Sequence, residues 1–98
     1  MGQSFQGGIR GIVTDAGGGA VASVKVSLLD EGTNATRATL TSEAGEYAFN
    51  GIVPAVYTVA AEAPGFKKFE RKGVSLGTQQ FLTIDMKLEV GQVTESVL

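Results

Sequence analysis

The feature that most constrains this chain is a two-residue alternation of apolar and polar side chains, longest in "FLTIDMKLEV" at 81–90. There Leu82, Ile84, Met86, Leu88 and Val90 recur at every second position. Such a period puts successive side chains on opposite faces, which a strand does and a helix does not. The run therefore predicts a central strand with one buried face. Shorter runs repeat the pattern. "GIRGIVTD" sets Ile9, Gly11 and Val13 against Arg10, Ile12 and Thr14, and "SVKVSLLD" sets Val24, Val26 and Leu28 inward against Lys25, Ser27 and Leu29. "ATRATLTS" has little to bury and predicts an edge. "EYAFNGI" offers Tyr47, Phe49 and Ile52 to a core and stops at Pro54, while "VYTVAAEA" puts Tyr57, Val59 and Ala61 on one face. A further strand runs from Phe66 to about Leu76, with Val74 and Leu76 sharing a face.

Turns separate these runs. Gly17, Gly18 and Gly19 allow positive φ and predict a mobile turn, and no helix start follows them to make a phosphate cradle. About seven strands spaced by roughly 8 to 12 residues predict an all-β, seven-stranded antiparallel Greek-key β-sandwich, with an open barrel as the alternative. The Cys and Trp landmarks of true immunoglobulin domains are absent, so only the immunoglobulin-like architecture carries over.

With 98 residues, one modest core is the ceiling, and 43% hydrophobic against 18% charged residues favours a folded chain. A net charge of −2 gives no basic field for a phosphate backbone, so no nucleic-acid partner is expected. The chain has neither cysteine nor histidine. That removes disulfides, thiolate nucleophiles, the commonest general base and the commonest transition-metal ligand. No apolar run approaches the roughly 20 residues of a membrane-spanning helix. Residues 1–7 read as a cloning remnant at Met1-Gly2 followed by a flexible N-terminus, 8–90 as the domain, and 91–98 as the start of a linker.

The segments "GIRGIVTDAGGGAVASVKVSL" and "TSEAGEYAFNGIVPAVYTVAAEAPGFKKF" resemble the carboxypeptidase regulatory-like domain, a relative of Cna B-type and transthyretin-like (prealbumin-like) sandwiches. The resemblance runs from about Gly8 to Leu88 and rests on Ile9, Gly11, Val13 and Asp15, on Gly45, Tyr47 and Phe49, and on Tyr57, Val59, Pro64, Gly65 and Phe66. Glu43 stands where the family usually has Asp, and Val56 where Gly is common before Tyr57. Within the family the chain is most similar to the N-terminal domain of Oar-like TonB-dependent outer-membrane receptors. "QSFQGGIRG" resembles a mature start after signal cleavage, and "LEVGQVTESVL" the link into a receptor plug. The resemblance implies an extracytoplasmic domain, at the periplasm or outer membrane of a Gram-negative bacterium. Its partners would be the rest of its own receptor chain and a protein or other component of the cell envelope.

Some Cna B-type domains close a Lys-Asn or Lys-Asp isopeptide bond beside a buried glutamate, and Glu62 in "EAPGF" is similar to that glutamate. The first strand offers Arg10 where such a bond needs lysine, while Lys25 and Asp85 alternate with inward residues and point out. Asp15, Asp30, Glu31, Glu43 and Glu46 fall mainly in turns, where carboxylates cap amides, and no calcium-loop spacing is present. No catalytic residue, cofactor or metal site is therefore expected.

Four of the eight Lys and Arg residues, Lys67, Lys68, Arg71 and Lys72, surround Phe69. They form a candidate partner-contact patch, or else charges that guard an exposed edge strand. Phe69 is out of phase with Phe66, so one of the two should be less buried. Phe69 and Phe81 are the aromatics with a case for exposure, as a glycan platform would need. The expectation is a monomeric, non-catalytic interaction or spacer domain, with a carbohydrate-binding or adhesion module of a secreted enzyme or surface protein as the alternative.

Overall fold

The computed structural model describes residues 6–91. The expected cloning remnant and the linker from residue 92 onward lie outside the described residues. Eight strands follow in order: β1 (Gly7–Thr14), β2 (Lys25–Asp30), β3 (Thr36–Leu40), β4 (Glu46–Ile52), β5 (Ala55–Glu62), β6 (Phe69–Leu76), β7 (Phe81–Thr83) and β8 (Met86–Lys87). They form two sheets, one ordered β4-β1-β7 with β8 also on β1, the other β3-β2-β5-β6. Two hairpins stay within the second sheet, and the other long connections cross between sheets, which gives the expected Greek-key sandwich.

The inward alternation builds one core from both sheets. Ile9 and Val13 of β1 meet Val26, Leu28, Tyr57 and Val59 of the opposite sheet and Met86 of β8, all buried. Tyr47 and Phe49 pack edge to face, with centroids 6.0 Å apart. Thr41, only 5% exposed, resolves its buried hydroxyl by donating to the Val21 carbonyl at 2.7 Å and accepting the Val24 amide at 2.9 Å.

The last predicted strand departs from expectation in two ways. It is broken at Ile84-Asp85 into β7 and β8, and among the described residues both pieces pair with β1 alone, in parallel. It is thus an edge, and β1 is the centre of its sheet. Alternation reports one buried face and carries no count of hydrogen-bonded neighbours, so the run suggested a central strand. The alternation also ends at Leu88, because Val90 is 73% exposed, bridging only Phe66.

At the break the Ile84 amide donates to the Arg10 carbonyl, and the Ile12 amide donates to Asp85 Oδ1 at 3.0 Å. A side-chain oxygen thereby replaces the missing backbone acceptor. Tyr47 reaches from β4 over Gly11 to donate its hydroxyl to the Ile84 carbonyl. Gly11 is what makes this crossing possible: a Cβ there would stand 1.9 Å from the Ile84 oxygen and 3.1 Å from the Tyr47 ring.

β6 contains a bulge. Its register slips between the pairs Tyr57–Val74 and Val59–Arg71, and Gly73 takes φ +71°. The extra residue lets Phe69 and Val74 both face inward although they stand five positions apart, which in a regular strand would put them on opposite faces. Phe66 lies before β6, so the phase conflict between the two phenylalanines dissolves, and both pack partly buried on the core.

Candidate functional site

The turns show where the acidic side chains go. Asp15 Oδ1 accepts the Gly17 and Gly19 amides at 3.0 and 2.9 Å, so the glycine turn expected to be mobile is laced to one carboxylate. Asp30 Oδ1 accepts the Gly32 and Thr33 amides. Before Gly45, the Ser42 hydroxyl accepts the Ala44 and Glu46 amides and so closes that turn. Glu31 reaches farthest. Its Oε2 accepts the Thr58 hydroxyl of β5 at 2.7 Å and the Gly73 amide of β6 at 2.9 Å. Those bonds, the Gly73 amide first and Thr58 next, hold its carboxyl below the ordinary range, with Lys72 adding. Burial pushes both tyrosine hydroxyls up, with Asp85 adding at Tyr47 and Asp30 at Tyr57. No cluster of three or more metal-ligating side chains occurs among the described residues.

Glu62 does not sit between the sheets. It is about half exposed and ion-paired with Lys68 at 3.7 Å, on the outer surface of its sheet. Lys25, its cross-strand neighbour, is exposed as well.

The predicted contact patch is divided by the fold. Lys67 pairs with Glu89 at 3.7 Å, as Lys68 does with Glu62. Phe69, opposite Ala61, turns toward the core and is not presented among these cations. Arg71, opposite Val59, shares its register face but is exposed, and Lys72 lies beside the bulge near Glu31. β6 is an edge of its sheet, so the charges stand where an edge strand is guarded.

A second surface, largely unmarked by the sequence pattern, lies on the outer face of the other sheet. The register puts Asn50, Gly8 and Phe81 in one row, Ala48, Arg10 and Thr83 in the next, and Glu46 beside Ile12 in a third. A cleft of about 690 Å³ opens over this face, lined by Arg10, Ile12, Glu46, Ala48, Thr83 and Asp85, with Leu40 at its rim. Phe81, one pleat repeat beyond, is 66% exposed, and its ring lies over Gly8, 3.2 Å from where a Cβ would stand. Among the described residues the Arg10 guanidinium and the Glu46 carboxylate make no ion pair or hydrogen bond. The signal available in sequence was Phe81 itself, out of phase with the apolar run that follows it.

The family description "carboxypeptidase regulatory-like domain" matches residues 8–89. No curated protein matches significantly. Among solved structures, the Bacillus anthracis TIE protein is similar with a TM-score of 0.73 at 17% identity, over 87% of this chain and 16% of that one. Hydroxyquinol 1,2-dioxygenase from Pseudomonas putida DLL-E4 has a TM-score of 0.71 at 11% identity, over 93% of this chain and 58% of that one. These two show a shared fold and nothing of function. A Bacteroides uniformis protein proposed to bind carbohydrate has a TM-score of 0.63 at 25% identity, over 84% of this chain and 40% of that one. In all three the chain spans less than two thirds of the other protein's length.

Proposed function

Since the chain belongs to the carboxypeptidase regulatory-like domain family, we propose that it is a non-catalytic, monomeric interaction and spacer module of an extracytoplasmic protein. We assign it as the N-terminal domain of a TonB-dependent receptor in a Gram-negative outer membrane. The observation that carries the non-catalytic part is the use of carboxylates as backbone acceptors. Asp15, Asp30, Glu31 and Asp85 each bond main-chain amides that close a turn, a bulge or a strand break. The receptor part is supported by the likeness of "QSFQGGIRG" and "LEVGQVTESVL" to the edges of such domains. Translation of the gene beyond Leu98 tests it. A plug followed by many amphipathic strands is the expected outcome, and a hydrolase domain in that place overturns the receptor reading.

The alternative is a carbohydrate-binding module appended to a secreted enzyme or surface protein. The Bacteroides uniformis neighbour favours it, as does Phe81, whose ring lies over Gly8 on the outer face and is 66% exposed.

A further inference from the structure

We propose that the outer face of the β4-β1-β7 sheet is a binding site for a neutral oligosaccharide, with Phe81 as the stacking platform and Arg10 and Glu46 as the hydrogen-bonding pair. This gives the carbohydrate-binding reading a location and rests on it.

The argument starts from what this face leaves unsatisfied. Phe81 exposes 66% of its surface although Leu82, Ile84 and Met86 of the same segment are drawn into or against the core. The register fixes it on the outer face, and the bare α-carbon of Gly8 lets its ring lie on the sheet. A rigid aromatic surface held in this way matches the flat C–H face of a pyranose ring, and its two side-chain torsions lose little freedom on binding.

Arg10 is the next outward residue along β1, about 7 Å from Gly8 by strand rise. Its neighbours on either side are small, Ala48 and Thr83, which leaves the cleft open around the guanidinium. Glu46 and Asp85 lie one further step along. Asp85 has one oxygen engaged by the Ile12 amide and keeps the other for a ligand. Donors and acceptors thus alternate beyond an aromatic ring, and the vicinal hydroxyls of a sugar both donate and accept.

The cleft, at about 690 Å³, falls within the usual range of small-ligand sites, roughly 300 to 1,000 Å³. One cation against two carboxylates gives no positive field, so phosphate- or sulfate-bearing polymers are disfavoured. A protein partner would need about 800 Å² per side with aromatic or apolar anchors at its centre. Here the central row is Ala48, Arg10 and Thr83, the single large aromatic stands at one end, and the exposed apolar side chains of Ile12 and Leu40 lie outside that row.

The test is a titration of the 98-residue chain with cellohexaose, maltohexaose, xylohexaose and chitohexaose, read by calorimetry and by amide chemical shifts. Saturable binding to at least one is expected, with shifts concentrated at Gly8, Arg10, Ala48 and Thr83. Phe81→Ala should weaken it by about tenfold or more, Phe81→Trp should retain it, and Phe69→Ala should leave it unchanged. Phe81 is exposed, so Phe81→Ala is expected to melt with the wild type, and its amide spectrum checks the fold independently. Binding whose shifts map elsewhere, or that survives Phe81→Ala, overturns this site while leaving the carbohydrate reading in place. Silence toward all four sugars overturns both and leaves the spacer reading standing.

Discussion

Glu31 sits in the turn after β2, yet its carboxylate bonds Thr58 on β5 and Gly73 on β6, so one solvated side chain ties three neighbouring strands. These bonds hold its native carboxyl below the ordinary value of 4.5. The native state therefore binds that proton more weakly than the unfolded chain does. The stabilisation is complete above the ordinary glutamate range and is lost as pH falls through the lower native value. Thermal melts followed by circular dichroism should show the wild type losing more stability than Glu31→Gln between about pH 5 and about pH 3; parallel pH profiles would refute the assignment. At this scale sequence reading was uneven. Tyr47, Phe49, Val59 and Met86 were legible as core because alternation alone selects them. The reach of Glu31 was not, because it depends on where a bulge in another strand puts an amide. Phe69 and Phe81 were both candidates for exposure, and only three-dimensional register separates them: one faces Ala61, the other Gly8.

At the scale of elements, the two features that alternation missed are both irregularities. The β6 bulge shifts the phase of the strand by one residue, and its only trace in sequence is Gly73. The break between β7 and β8 interrupts the cleanest alternating run in the chain without disturbing the alternation, since Ile84 and Met86 stay buried. What enforces the break is contact with β1 and β4: the Ile84 carbonyl turns over Gly11 to meet the Tyr47 hydroxyl. Gly11→Ala should therefore cost about 3 kcal/mol, at the upper end for overpacking, because the neighbour it strikes is backbone and cannot swing away. Chemical denaturation measures this, with Gly18→Ala as the contrasting case. Gly18 has φ +90° with nothing within 4 Å, so it carries a conformational cost without a collision, about 1 to 2 kcal/mol. Equal costs at the two glycines would contradict the crossing.

The whole molecule is organised around β1, which is flanked by β4 on one side and by β7 and β8 on the other. Alternation and turn spacing pointed to the sandwich and to about seven strands, and the family resemblance agreed, whereas the parallel seam between the first and last strands could not be read from local pattern. That seam has a mechanical consequence. Because β1 and β8 run side by side in the same direction, the polypeptide enters this unit at one pole and departs at the other. Eight residues of β1, at about 3.3 Å each, set the poles some 25 Å apart. Tension applied through both poles draws the two strands in opposite directions along their length, so their cross-links are loaded together in shear and do not open one at a time. Single-molecule stretching should then find Asp85→Ala, which removes a link across the seam, yielding at lower force, and Glu31→Gln, in the other sheet, yielding at wild-type force. Such a unit would transmit a pull from one pole to the other at nearly constant length.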